Sequence, residues 1–399
     1  MDTKLKVVIA LSAIGTVAAA GAVRALDLES PTLVKPAPLY ANGVTSPGGL
    51  TKIGNDIWVS DHLQGFCRLR PSTTFSEPGS VDDATCVTNA VSPGQATFDP
   101  SKNFVYVPDN SSKSQGVWRY TWTSTTRRLS RPILISGTRA GTANSLIGIR
   151  TTATAMDRNG NLYVGGIKSG FIFKVTNPSG TPAVTRVGQT GDGGGVTAIA
   201  IAKALNVDLT GFDSRKQDLY IAEGAGLATI NDIGACTRPA LCVAFAVSTP
   251  ASAPGGISSD GEKVYLSDIS GTVVQYDILN DISTTSNSIP LRLPTAVLID
   301  LGASSGVSDD RLYVADDPTD GNGIAKGHVY WQFEQPSSTN PGSTTTTATT
   351  TATTTALATT TALATTATTV PLEEPAIVAA DSAPALDLAV GGKGKGKGR

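Results

Sequence analysis

The sequence predicts an all-β chain folded as a six-bladed β-propeller, closed by an N-terminal strand and followed by a disordered C-terminal stalk. A short phrase carries the prediction. It is an aromatic residue, a β-branched or leucine residue, a small residue and usually an acid. It reads Trp58-Val59-Ser60-Asp61, Tyr106-Val107-Pro108-Asp109, Tyr163-Val164-Gly165-Gly166, Tyr220-Ile221-Ala222-Glu223, Tyr265-Leu266-Ser267-Asp268 and Tyr313-Val314-Ala315-Asp316. The aromatic residues are spaced by 48, 57, 57, 45 and 48 positions. A strand-like period near 50 residues marks a propeller or an array. The second observation is the set of Pro- and Gly-marked openings ahead of each phrase. The third is a glycine and a further strand behind it.

The elements of one repeat follow in order. The innermost strand opens at Ser46-Pro47-Gly48-Gly49-Leu50, Ser92-Pro93-Gly94-Gln95-Ala96, Thr152-Ala153-Thr154-Ala155-Met156, Gly195-Val196-Thr197-Ala198-Ile199, Ala253-Pro254-Gly255-Gly256-Ile257 and Leu293-Pro294-Thr295-Ala296-Val297. A hairpin turn such as Asn159-Gly160 or Asp260-Gly261 leads to the second strand, because those residues tolerate positive φ. The aromatic phrase is that second strand, and its rings are expected to fill the space between blades. Third strands start at Gly65, Gly116, Gly170, Gly226, Gly271 and Gly327. Fourth strands are expected at Cys86–Val91, Ile133–Ile135 and Cys242–Val247. The sixth repeat has no fourth strand of its own. Leu39 to Val44 is expected to supply it beside Val329 to Phe333, which would hide two sheet edges.

The ends of the chain differ in kind from this body. Residues 1–25 read as a secretory signal: Lys4 and Lys6, an apolar run from Val7 to Val23, then Val23-Arg24-Ala25 as a cleavage site. A membrane anchor is the alternative, for which the run is short and weakly hydrophobic. The propeller is expected over 26–335, a Thr/Ala-rich linker over 336–370 and a tail over 371–399. Thr and Ala bury too little apolar surface to offset the entropy of ordering, so the linker reads as an extended stalk. The tail ends in Lys393, Lys395, Lys397 and Arg399 on glycine spacers. Such a tip suits weak contact with an anionic polymer or membrane surface, or simply solvation. The mature chain holds no transmembrane span. The expected destination is export: periplasm, extracellular space or cell surface. A net charge of −2 argues against a nucleic-acid partner.

The four cysteines read as two disulfides, Cys67–Cys86 and Cys236–Cys242. Zinc would need four N or S ligands, and the chain has two histidines.

Antiparallel order puts the second-to-third turns and the inner-strand entries on one face. That face should carry Asp61, Asp109, Glu223, Asp268 and Asp316, with His62 as its evident general base. Two readings of the acids stand side by side: a cation site at a channel mouth, or acceptors for backbone N–H groups of adjoining turns. The loop with Asp316, Asp317, Asp320 and Asn322 has oxygen ligands at short spacing, a candidate for Ca²⁺ or an Asx-rich turn. His328 begins a third strand and reads as structural. The Gly191–Gly195 run leads into a strand, so no helix N-terminus stands there to hold a phosphate.

The Pro-x-Gly openings, Asp-Gly turn and Tyr-Val-x-Asp phrase together resemble NHL-type six-bladed propellers over residues 39 to 333. The wider superfamily includes gluconolactonases, paraoxonases and strictosidine-synthase-like proteins. For its lactonases the resemblance implies a divalent cation held by Glu, Asn and Asp near the inner-strand openings. Here those openings carry Gly48, Gly49, Gly94, Gln95, Gly255 and Gly256. The first functional expectation is therefore a binding module, recognising a protein, glycan or small ligand on its loop face. A metal-dependent hydrolase or lactonase-like enzyme is the second, and the reading leans away from it. It would gain from His62 lining the channel and lose from a channel blocked by Gln64 and Gln95.

Overall fold

A computed structural model describes residues 26, 28 and 37–333, apart from 72–77, 114, 192–193, 207, 237–241, 287–288, 303–309 and 318–326. The expected signal peptide, linker and tail lie outside the described residues. The chain divides into one compact unit over Met1–Ser338 and a second over Thr339–Arg399.

Six antiparallel four-stranded blades make up the first unit. Blade one is Pro47–Ile53, Asp56–Asp61, Gly65–Arg70 and Gly79–Val87. Blade two is Thr97–Asp99, Phe104–Asp109, Gly116–Thr123 and Arg128–Ile135. Blade three is Thr151–Met156, Leu162–Gly166, Ser169–Thr176 and Ala183–Gln189. Blade four is Val196–Leu205, Phe212–Glu223, Gly226–Ile230 and Phe245–Val247. Blade five is Pro254–Ser259, Lys263–Asp268, Thr272–Asp277 and Ile282–Ser286. Blade six is Pro294–Asp300, Arg311–Asp316 and Gly327–Gln332, completed by Leu39–Val44. The inner strands touch one another in sequence, and the sixth touches the first, so the ring is closed around a central axis.

The closure is the one expected. Leu39 stands opposite Tyr330, Ala41 opposite Val329 and Val44 opposite Gly327. The same strand also runs parallel to the outer strand of blade one, Ala41 against Gly79 and Asn42 against Ser80. Blades six and one thereby share a continuous eight-stranded sheet. Tyr40 fixes the strand from its side chain, with its ring 4.9 Å from Tyr313 and 5.6 Å from Trp331.

Six apolar clusters fill the six seams between neighbouring blades. The phrase aromatics Trp58, Tyr106, Tyr163, Tyr220, Tyr265 and Tyr313 are all buried there. Each apolar side chain of that kind contributes roughly 1.5–3 kcal/mol on burial. Leu26 and Leu28 are buried in the seam of blades five and six, where the Tyr265 hydroxyl donates to the Leu26 carbonyl at 2.9 Å.

Both disulfides form, Cys67–Cys86 and Cys236–Cys242. Two strand bounds differ from expectation. The outer strand of blade one is Gly79–Val87, so Cys86 lies near its end and not at its beginning. Cys242–Val247 is two pieces. Cys242–Val243 pairs in parallel with Gly188 and Gln189 of blade three, and Phe245–Val247 belongs to blade four. The second disulfide therefore anchors a segment that reaches across a seam. The physical reason is an unpaired outer edge on blade three, which a short neighbouring segment covers.

Candidate functional site

The loop face is built from consecutive residues with opposite orientations. A strand turns successive side chains to opposite sides. At the end of each second strand, the acid of the phrase turns into the blade, and the next residue meets the axis of the ring.

The acids bind backbone. Asp61 Oδ2 accepts from the N–H groups of Thr45 and Ser46, and its Oδ1 from Leu63 at 2.9 Å and Gln64 at 3.0 Å. Asp109 accepts from Val91, Ser92 and Ser111 at 3.3, 3.2 and 2.9 Å. Asp268 accepts from Ala253 and Ser270, both at 2.9 Å, and Asp316 from Arg292 at 3.0 Å and Leu293 at 2.6 Å. Desolvation pushes the Asp268 carboxyl up, but these hydrogen bonds outweigh it and hold the group below the usual range. Glu223 is buried at the equivalent place in blade four. Asp61, Asp109 and Asp268 thus stitch the entry of their own inner strand to the turn that follows the second strand, and Asp316 holds the entry of its inner strand. Such a carboxylate is a charge-assisted acceptor for N–H groups that would otherwise be orphaned.

The residue after each phrase is His62, Asn110, Ile167, Gly224, Ile269 or Asp317, Ile167 following the Gly166 that stands in place of the acid in blade three. In five blades its backbone N–H donates to the chain just before the inner strand. The pairs are His62 to Ser46 O, Asn110 to Ser92 O, Ile167 to Arg150 O, Ile269 to Ala253 O and Asp317 to Leu293 O, at 2.8–3.2 Å. His62, Asn110, Ile167 and Asp317 line a single cavity of about 250 Å³ at the mouth of the channel. Gly48, Gly94, Thr152, Thr197, Gly255 and Thr295 form its inner wall. Blades six, one and two make this mouth polar, while blade three brings Ile167.

His62 leans on Gly48. A Cβ at that glycine would stand 2.5 Å from His62 Nε2, so the Pro-Gly-Gly opening makes room for the imidazole. The other ring nitrogen, Nδ1, is 2.9 Å from Ser92 Oγ. Burial pushes the imidazole pKa down, against the opposing pull of Asp61 and Asp317. Burial pushes the Asp317 carboxyl up; its Oδ2 accepts from Ser46 Oγ at 3.1 Å. Asp317 Oδ1, Asn110 Oδ1 and Thr295 Oγ1 are shielded and have no hydrogen-bond partner among the described residues. A buried acceptor left without a donor costs about 1–3 kcal/mol, so three in one cavity wall are a marked concentration.

Gln95 closes the channel below this mouth. Its Nε2 donates to Ile257 O of blade five at 2.9 Å, and its Oε1 accepts from Ile199 N of blade four at 3.0 Å. One side chain from blade two therefore spans the axis. On its far side lies a second chamber of about 380 Å³, lined among others by Leu50, Phe98, Met156, Ile201 and Val297. Gln64 does not take part; its amide donates to Gly43 O at the rim.

Asp320 and Asn322 lie outside the described residues. Among the described residues no group of three His, Cys, Asp or Glu side chains comes together to hold a metal ion. His328 pairs in register with Asn42 and Asp316 within blade six. The Gly191–Gly195 run passes into the strand Val196–Leu205, as expected. Sequence reasoning put the acids, His62 and the loops that carry Asn110 and Asp317 on this face, but it did not draw Asn110, Ile167 and Asp317 into one recess with His62. The signal was available in strand alternation: the position one past each phrase.

No protein-family model matches the chain, and no curated protein matches it. Solved structures do. A gluconolactonase from Xanthomonas campestris is 12% identical, with 75% of this chain and 89% of that one covered at a TM-score of 0.47. A luciferin-regenerating enzyme is 14% identical, with coverage of 75% and 94% and a TM-score of 0.48. Virginiamycin B lyase from Staphylococcus aureus is 14% identical, with coverage of 74% and 87% and a TM-score of 0.41. A gluconolactonase is among the groups the sequence resembles. These likenesses concern the course of the chain and carry no chemistry across. The two disulfides fit a non-reducing, exported environment. Among the described residues no helix is long and apolar enough to cross a membrane.

Proposed function

We propose that this protein is an exported recognition module that binds its partner at the mouth of the propeller, with residues 336–370 as its spacer. The observation that carries the reading is the set of unmet acceptors, Asn110 Oδ1 and Asp317 Oδ1, in the wall of a cavity that His62 also lines. Two further facts support it. The phrase acids Asp61, Asp109, Asp268 and Asp316 already accept backbone hydrogen bonds. Gln95 closes the channel beneath the mouth, which leaves a shallow recess. A recess with fixed polar groups suits recognition, where a few well-placed groups set specificity. A thermal-shift screen with peptides, glycans and small polar molecules tests this. A binder should raise the melting temperature of the wild type and fail to do so for an Asn110→Ala, Asp317→Ala double variant. Binders indifferent to both changes would move the site elsewhere.

A divalent-metal-dependent hydrolase or lactonase-like enzyme is the second reading. What favours it is that Asp317 and Asn110 offer hard oxygen donors near an imidazole. Asp317 and Asn110 would hold Ca²⁺, and His62 would serve as base. A ligand that binds only the native state raises stability by mass action. Millimolar Ca²⁺ should then raise the melting temperature by several degrees, and Asp317→Ala should abolish the rise. An unchanged melting temperature removes this reading.

A further inference from the structure

The recognition reading names a place but not what enters it, and the chemistry of the mouth narrows that choice. The cavity wall presents acceptors on three adjacent blades: Asp317 from blade six, His62 from blade one and Asn110 from blade two. Among the described residues none of the side chains lining it is Lys or Arg. Asp61 and Asp316 bring two more carboxylates close to Asp317, and a protonated His62 would pull the other way. Burial keeps that imidazole toward its neutral form. Arg150 Nε donates to the Asn110 carbonyl oxygen at 3.0 Å, while Asp317 is crowded by the Asp61 and Asp316 carboxylates, and a carboxylate so placed favours a cation. Size narrows the choice further. About 250 Å³ is below the roughly 300–1,000 Å³ of clefts that enclose a drug-sized molecule. It suits the end of one side chain. Ile167 of the cavity wall, Leu63 directly after His62 and Ile269 at the equivalent position of blade five are 44%, 73% and 46% exposed. Large apolar residues left in water beside a polar recess are the surroundings of a contact surface.

We propose that the mouth receives a lysine side chain from a partner protein, its ammonium meeting Asp317 and Asn110 while apolar residues flanking that lysine cover Leu63, Ile167 and Ile269. This rests on the recognition reading above. An ammonium has three donors, which answers a wall of acceptors contributed from separate blades. The apolar rim excludes water from the charged contact, which strengthens it.

The test uses the full chain with ¹⁵N-labelled histidine and an acetylated, amidated Gly-Ile-Lys-Ile-Gly peptide. The chain has two histidines, so a His62→Gln variant assigns the His62 imidazole signals. The lysine peptide should shift those signals. A norleucine version should leave them in place, and Asp317→Asn should weaken the lysine peptide at least tenfold with the melting temperature held or raised. Affinity should fall with added salt. Equal binding of the norleucine peptide, or unchanged affinity in Asp317→Asn, overturns the proposal. A glutamate version that shifts His62 would keep the mouth as a binding site and discard the cation. A panel of all charges that leaves His62 unmoved discards both. Butylammonium binding as tightly as the peptide would make a free amine the ligand and discard the protein partner.

Discussion

Asp61 and His62 are neighbours in the chain, as are Asp316 and Asp317, yet within each pair the two residues belong to different regions. The first ring of residues is turned into the blades, and its aspartate oxygens are taken up by backbone N–H groups. The second ring meets the axis and keeps acceptors that no group among the described residues satisfies. The first ring holds the loops in place; the second spends that rigidity on a recess with specific chemistry. A carboxylate is therefore not evidence of a site by residue type. Which side of the strand it faces decides whether its lone pairs are already occupied.

The same substitution applied to both rings separates them most sharply. Asp61→Asn replaces an acceptor facing two N–H groups with an NH₂ that cannot accept, in a fully buried place. Breaking a buried charge-assisted network should cost roughly 2–4 kcal/mol in chemical denaturation. Asp317→Asn should stay within about 1 kcal/mol of the wild type, or gain slightly, because the charged form is disfavoured by burial and the partial exposure screens the effect. Comparable losses in the two variants would erase the distinction drawn here.

Gln95 is a second way to break the comparison, since it belongs to neither ring and forms the floor between them and the lower chamber. Gln95→Ala leaves the Ile199 N–H and Ile257 C=O unpaired and should cost roughly 2–3 kcal/mol. Gln95→Glu keeps an acceptor for Ile199 but sets a carboxylate oxygen against the Ile257 carbonyl, so its loss should be at least as large at neutral pH and shrink when the carboxyl is protonated. Denaturation midpoints at constant slope give the ranking. A tolerant Gln95→Ala would mean that the strap is incidental to closure.

The smallest expected effect is a pH dependence. The His62 pKa is lowered by folding, so the unfolded chain binds the extra proton more readily. Stability from this group is present above the unfolded value, about 6.5, and is lost as pH falls from there through the folded value. His62→Gln should flatten the stability slope below about pH 6.5. Asp317 works in the opposite sense: its raised pKa makes the folded chain hold the proton, a penalty that grows as pH rises from the unfolded carboxylate value through the folded one. A His62→Gln slope identical to the wild type would show that the ring is hydrated.

The ring architecture was legible because it is written in residue types at a fixed spacing. Trp58 and its five counterparts must fill seams, and only large aromatics with β-branched neighbours do so. Leu39 to Val44 was legible for a related reason: blade six ran out of chain, and an exposed edge needs a partner. The mouth was harder to read. His62, Asn110, Ile167 and Asp317 share no chemistry, so no motif ties them together; only the alternation after each phrase does. Gln95 was suspected of blocking the channel, but its two partners are on blades four and five, and one strand's sequence cannot say how far a side chain reaches across an axis. The split of Cys242–Val247 between two blades escaped for the same reason, since a seam is crossed in space and not in sequence.

The strand that completes blade six comes from near the start of the chain, and its partner Gly327–Gln332 from the end of the ring. During synthesis the first of these emerges long before the second exists. Five blades can form and stack while Leu39–Val44 has no neighbour on its blade-six side, with Tyr40 and Val44 lacking the packing they have in the finished ring. A non-local pairing of this kind is slow, and it leaves a sticky edge open in the meantime. The last event of folding is thus a clasp fastening, and a chain cut short before Gly327 would carry an open ring with nothing to fasten to.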